Sequence, residues 1–139
     1  MRRTVEVRLP ASPAMIPTVR TLTSDLAARA DFDLDAISDL RMAVDEASTA
    51  LVSHVSANQE LRCVFVLGPD RIEATVSALV PNPAPTMLNT AAFSWRILRS
   101  LVDEVHTHTE IHTDAAGDGG DDQGHTLISI RLVKRALPT

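Results

Sequence analysis

The sequence predicts an α+β two-layer sandwich, in which three helices cover one face of a mixed, mostly antiparallel sheet of about five strands. Apolar residues recur every three or four positions in three segments, and they alternate with polar residues in several others. The helical segments cluster along the chain rather than alternating with strands, which disfavours a doubly wound fold. At 139 residues, the chain is expected to form a single domain spanning residues 1–139.

The chain opens with a predicted strand and helix. Residues 4–9 alternate enough to form a strand, which Pro10 ends. Ser12 followed by Pro13 predicts a helix start, with the serine as N-cap and the proline in the first turn. We expect this helix to run to about residue 30, with Pro17 either shifting its true start to Thr18 or kinking its first turn. Arg20 is expected on its exposed side.

The second predicted helix, residues 34–55, has Asp33 or Asp35 available as its N-cap. The side that we expect to pack on the sheet repeats at helical spacing and comprises Ile37, Leu40, Val44, Ala47, Leu51 and Val55. On the opposite side Glu46 lies among small or apolar neighbours, namely Met42, Ala43, Ala50 and Ser53. A buried carboxylate in such surroundings could serve as a general base, whereas a partly solvated one would be an ordinary helix residue.

A hairpin follows, with strands at residues 61–67 and 71–79 that are rich in Val, Ile, Phe and Thr and are joined by Gly68-Pro69-Asp70. Cys63, the only cysteine, is expected to be a buried structural thiol. Residues 80–92 contain three prolines within five positions, which predicts a loop.

The last third of the chain predicts a helix over residues 93–105 and then two paired strands, 105–113 and 126–134. They are joined by an acidic, flexible loop, residues 114–125. Its aspartates could attract calcium, but the spacing of a calcium-binding loop is missing. Alternate side chains of the first strand could hold zinc or copper, or could lie on the solvated face of the sheet: His106, His108, Glu110 and His112.

The overall charge disfavours two classes of partner. There are 13 Lys and Arg against 18 Asp and Glu, for a net charge of −5, so no nucleic-acid or membrane-surface footprint is present. No apolar run approaches the roughly 20 residues that span a bilayer. The start of the sequence, MRRTVEVRLP, carries charges where a signal peptide needs an apolar core. These observations predict a soluble cytoplasmic protein that contacts neither nucleic acid nor membrane directly.

Two segments resemble one known family. DLRMAVDEASTALVSH, preceded by a helix with Arg20, and the later FSWRILRSLVDEV look like the RsbW-type anti-sigma factors. These are serine-protein kinases of the histidine-kinase-like (GHKL) ATPase superfamily, which has the Bergerat-type fold. The likeness is strongest to the actinobacterial, mycobacterial-type anti-sigma-F proteins, and it covers nearly the whole chain.

The resemblance implies roles for four residues. In the family, this helix carries the pattern E-A-x-x-N-A-x-x-H, where glutamate is the base toward the attacking hydroxyl and asparagine holds magnesium. Glu46 and His54 match this pattern, and Ala50 stands in place of the magnesium-binding asparagine. Arg20 falls where the family has an arginine that binds both the sigma factor and its antagonist.

Two further family features are missing from the sequence. The family reads adenine with an Asp-x-Gly-x-Gly segment and closes a glycine-rich lid over phosphate. This chain has no aspartate between Arg71 and Thr90 and no glycine between Gly68 and Gly117. Without those glycines the backbone cannot easily approach phosphate. Residues 80–92 are therefore expected to be a degenerate ATP lid.

The resemblance leads to a cytoplasmic anti-sigma factor, expected to be a homodimer, that sequesters an alternative sigma factor. An anti-anti-sigma antagonist of the STAS type would release it. One alternative is an active serine-protein kinase that uses ATP with magnesium, with Glu46 as the base. The other is a scaffold of the same fold that binds neither sigma factor nor nucleotide.

Overall fold

The computed structural model of the chain describes residues 2–55, 58–81, 92–112 and 124–136. Its elements in chain order are β1 (Arg3–Pro10), a 3₁₀ turn (Pro13–Met15), α1 (Ile16–Arg29), α2 (Leu34–Val52), β2 (Glu60–Leu67), β3 (Arg71–Pro81), α3 (Ala92–Leu101), β4 (Glu104–His112) and β5 (His125–Arg135). The α+β sandwich is confirmed.

The five strands form one sheet in the order β1-β2-β3-β5-β4. All four pairings are antiparallel, so the parallel component of the expected mixed sheet is not found among the described strands. Buried residues alternate with more exposed ones along β2, β3 and most of β5. This alternation is typical of a sheet with helices on one face and solvent on the other.

The starts of the first two helices follow from their caps. Ser12 Oγ accepts a hydrogen bond from the Ala14 amide at 3.3 Å and so caps the 3₁₀ turn. Pro17 lies in the first turn of α1, where its missing N–H costs nothing. Asp33, rather than Asp35, is the N-cap of α2, because its Oδ1 accepts from the Ala36 amide at 2.7 Å.

The buried surface of α2 is wider than the apolar side that the sequence predicts. Leu40, Val44, Ala47 and Leu51 are fully buried as expected. Ala43, which we placed on the opposite side, is also fully buried. The reason is that α2 is contacted by α1 and α3 as well as by β3 and β5, so its flanks are covered in addition to its sheet-facing side.

Three predicted element boundaries were wrong. β3 continues to Pro81, and Val80 is buried in the sheet rather than beginning a loop. α2 stops at Val52, and α3 stops at Leu101 rather than continuing to residue 105. The Asp103 amide already donates a hydrogen bond to the Val133 carbonyl of β5 at 2.9 Å, so the chain pairs with β5 from this point and cannot continue α3. The predicted loops at 80–92 and 114–125 lie almost entirely outside the described residues.

Ser48 is the one fully buried side chain on α2 whose hydroxyl has no hydrogen-bond partner within the described ranges. Ser48→Ala is therefore expected to raise the free energy of unfolding by about 1 kcal/mol, since it removes an unsatisfied hydroxyl and improves helix propensity. Urea denaturation measures this change. Ser53→Ala, at an exposed serine, is the control and should change it by less than about 0.5 kcal/mol. A lower stability for Ser48→Ala would contradict the prediction.

Cys63 is buried on β2, as the sequence predicted. Burial raises the pKa of its thiol from 9.0 to about 12. The folded protein therefore keeps a proton that the unfolded chain releases above pH 9. The part of the free energy of unfolding that depends on this proton is fully present below pH 9. It is lost as the pH rises toward 12, by about 1.4 kcal/mol per pH unit.

Urea denaturation at pH 8, 9 and 10 tests this dependence. Other groups interfere little there, because the sequence has no tyrosine and a single lysine, Lys134. Cys63→Ala should remove most of the slope, and an equal slope in the variant would contradict the assignment.

Candidate functional site

The helix face that carries Glu46 is half-buried. Glu46 lies near the middle of α2, and Met42 and Ala50 lie one turn to either side on the same face. Met42 is 51% exposed, whereas the adjoining Ala43 is buried. The carboxylate thus lies at the border between the core and solvent. A role as general base remains a prediction from the resemblance.

Ala50 provides no side-chain ligand where the family pattern has asparagine. It is half-buried and packs against the core. Its carbonyl accepts a hydrogen bond from Ser53 Oγ at 2.8 Å. His54 lies beyond the end of α2 and is exposed, and its amide donates to the Leu51 carbonyl at 3.0 Å. The structure therefore places Glu46 and Ala50 on one face and His54 in the following turn.

Arg20 is on α1 and reaches across to α2. Its Nη2 donates to Asp45 Oδ1 at 2.8 Å, and its Nε donates to the same oxygen at 3.2 Å. The Arg20 side chain is 46% exposed and that of Asp45 is 32% exposed. Arg20 was predicted from the sequence, whereas Asp45 was not. One feature of the sequence could have indicated Asp45. It directly follows Val44 on the apolar side of α2, and a neighbouring helix can reach that part of the surface.

Lys134 is a second polar residue that was not predicted from the sequence. Its side chain, only 17% exposed, reaches from β5 toward the helices. Nζ donates to the Leu101 carbonyl at 2.8 Å and to Asp39 Oδ2 at 3.3 Å. The ammonium therefore caps the carboxyl end of α3 and links it to α2, so that this residue joins three elements.

The open face of the sheet carries ion pairs. The strand register places His106 opposite Arg131 and His108 opposite Ser129. His106 Nε2 lies 2.9 Å from Glu104 Oε1, and this hydrogen bond, together with the charge of Arg135, lowers the pKa of Glu104. Across the described residues, no three His, Cys, Asp or Glu side chains are grouped so that they could hold a metal ion.

A search of the described segments for a helix long and apolar enough to cross a membrane finds none.

No protein-family model matches the chain. Curated proteins do match it. The anti-sigma-F factor RsbW of Mycobacterium tuberculosis H37Rv is 34% identical over 116 residues, which are 83% of this chain and 68% of the relative.

Two other relatives bear the name serine-protein kinase RsbW. The Staphylococcus epidermidis protein is 32% identical over 151 aligned positions, covering 94% of this chain and 87% of the relative. The Bacillus subtilis protein is 34% identical over 76 residues, and that match spans 48% of its length. These relatives place the chain in the class of bacterial anti-sigma factors and their kinase relatives. The chain belongs to the RsbW family.

Proposed function

We propose that the chain is an anti-sigma factor that sequesters an alternative sigma factor of the sigma-F or sigma-B type. An anti-anti-sigma antagonist of the STAS type releases the sigma factor. The observation that carries the proposal is the match to a relative named anti-sigma-F factor, which covers 83% of this chain. The exposed Arg20 on the α1–α2 surface supports it, because an arginine fork suits contact with an acidic partner.

Binding of ATP and magnesium by this chain has weaker support than the anti-sigma role. The name of the kinase relatives implies ATP as their phosphate donor. At the position where the family pattern has a magnesium ligand, this chain has the methyl group of Ala50, which cannot coordinate a cation. The residues present do not fit magnesium at this point. The anti-sigma role needs no such ligand, because it is a contact between proteins.

Serine kinase activity is the second candidate, and the relative that covers 94% of this chain favours it. A phosphorylation assay distinguishes an active kinase from an anti-sigma factor without kinase activity. The chain is incubated with Mg-ATP that is labelled in the γ-phosphate and with an antagonist that carries a phosphorylatable serine. Our proposal predicts no labelled antagonist. Label that appears with the wild type and disappears with Glu46→Gln would support the kinase instead.

The resemblance also implies a homodimer. β1 and β4 are the two edges of the described sheet, and each has one side without a strand partner among the described elements. Such edges can pair with a second chain. Light scattering coupled to size-exclusion chromatography should give a mass of about twice 15.0 kDa, and a monomer mass at micromolar concentration would contradict the dimer.

The test of the anti-sigma role is co-purification. The full chain, tagged and mixed with each alternative sigma factor of its source organism, should retain at least one of them. The antagonist should displace the retained sigma factor. Retention of none would reject the proposal.

A further inference from the structure

The ion pair between Arg20 and Asp45 leaves one edge of the guanidinium available. Arginine carries five N–H donors in a planar fork. The pair uses one hydrogen of Nε and one of Nη2, both directed at a single oxygen, Asp45 Oδ1. Among the residues that the structure describes, three N–H donors of Arg20 thus have no partner, and neither does the second carboxylate oxygen of Asp45.

Asp45 also fixes the direction of the fork. A long arginine side chain loses about 2 kcal/mol of rotamer entropy when it is fully immobilised. An exposed ion pair is worth only about 0–1 kcal/mol, so it restrains Arg20 without cancelling its attraction for a partner. A side chain that is already oriented pays less of this entropy on binding.

Met42 lies next to this pair on α2, three residues before Asp45 and therefore on the neighbouring part of the helix surface. It is 51% exposed, which is unusual for a large apolar side chain in the described parts of the fold. Methionine is flexible and polarizable, and it is common on surfaces that bind more than one partner. The exposed, apolar Met42 side chain thus lies beside the oriented guanidinium of Arg20.

We propose that Asp45 and Met42 complete the sigma-binding surface that Arg20 begins. Asp45 is a positioning residue for the guanidinium, and Met42 supplies an apolar contact. The occupant is a segment of the alternative sigma factor that presents a carboxylate beside an apolar side chain. This inference rests on the proposed anti-sigma function.

The test is a calorimetric titration of the full chain with the sigma factor that it retains. Asp45→Ala should weaken binding about 3- to 10-fold, as expected when an anchor loses its preorganisation. In an Arg20→Ala background the same change should have an effect of less than about 2-fold, because coupled residues are not additive. Asp45→Asn keeps an acceptor oxygen for Arg20 and should restore most of the affinity.

Matched controls exist on the same helices. Asp25 pairs with Arg29 on α1 at 2.9 Å, so Asp25→Ala breaks a similar exposed pair and should leave the affinity unchanged. Met42→Ala should weaken binding, whereas Leu34→Ala, at an apolar residue 83% exposed on α2, should not.

Three outcomes would overturn the inference while the anti-sigma function stands: wild-type or tighter binding by Asp45→Ala, equal losses from Asp25→Ala, or additive effects of Arg20→Ala and Asp45→Ala. Failure of the wild type to bind any sigma factor would reject the proposed function, and the inference with it.

Discussion

Leu40→Ala is expected to lower the free energy of unfolding by about 2–5 kcal/mol. Leu40 lies on the sheet-facing side of α2, is fully buried and belongs to the main core cluster. Its truncation removes buried apolar atoms and leaves a cavity that the surrounding helices and sheet fill only in part. Because small domains have a total stability of about 5–15 kcal/mol, this single change should remove a large part of it.

Urea denaturation followed by circular dichroism measures the loss. Met42→Ala is the matched control, since it lies two positions further along the same helix and is half-exposed. It should change the stability by less than about 0.5 kcal/mol. A loss of under about 1 kcal/mol for Leu40→Ala would mean that α2 does not pack on the sheet as described.

Arg20→Ala is expected to weaken binding of the sigma factor by about 30-fold or more, which corresponds to the 2 kcal/mol that defines an interface hot spot. The reason is that the Arg20 fork is exposed and that three of its N–H donors have no partner within the described part of the chain. The fold should lose no more than about 1 kcal/mol, because the broken ion pair is exposed. Calorimetric titration and urea denaturation of the same variant separate the two effects.

Arg29→Ala is the matched control for this prediction. Arg29 is on the same helix, is 73% exposed and is also paired with an aspartate. The variant should bind the sigma factor with wild-type affinity. Equal losses for both variants would indicate general attraction between charges, and wild-type affinity of Arg20→Ala would remove Arg20 from the partner surface.

Local signals predicted the elements of the fold well. The Asp33 cap and the apolar repeat begin α2 at Leu34, and residue alternation identifies the strands. The end of α3 was misplaced because Val102 and Val105 continue a helical spacing, while the deciding contacts come from β5. These are the Lys134 ammonium on the Leu101 carbonyl and the Val133 carbonyl on the Asp103 amide. Contacts between residues about 30 positions apart leave no mark on local periodicity.

The same distinction applies to the candidate site. Glu46, Ala50 and His54 were identified from one continuous segment, and the family that this segment indicated is confirmed. Asp45 lies within that segment too, but its importance depends on Arg20, which is 25 residues away on another helix. The strand order, with β5 between β3 and β4, was also beyond local patterns.

If the chain is an anti-sigma factor with a degenerate nucleotide site, it captures a sigma factor without nucleotide. The most direct measurement is a titration of the alternative sigma factor into the full chain in a buffer that contains EDTA and no ATP. We expect a saturable complex that the antagonist dissociates. No complex with any alternative sigma factor, or a complex that forms only when Mg-ATP is added, would contradict it.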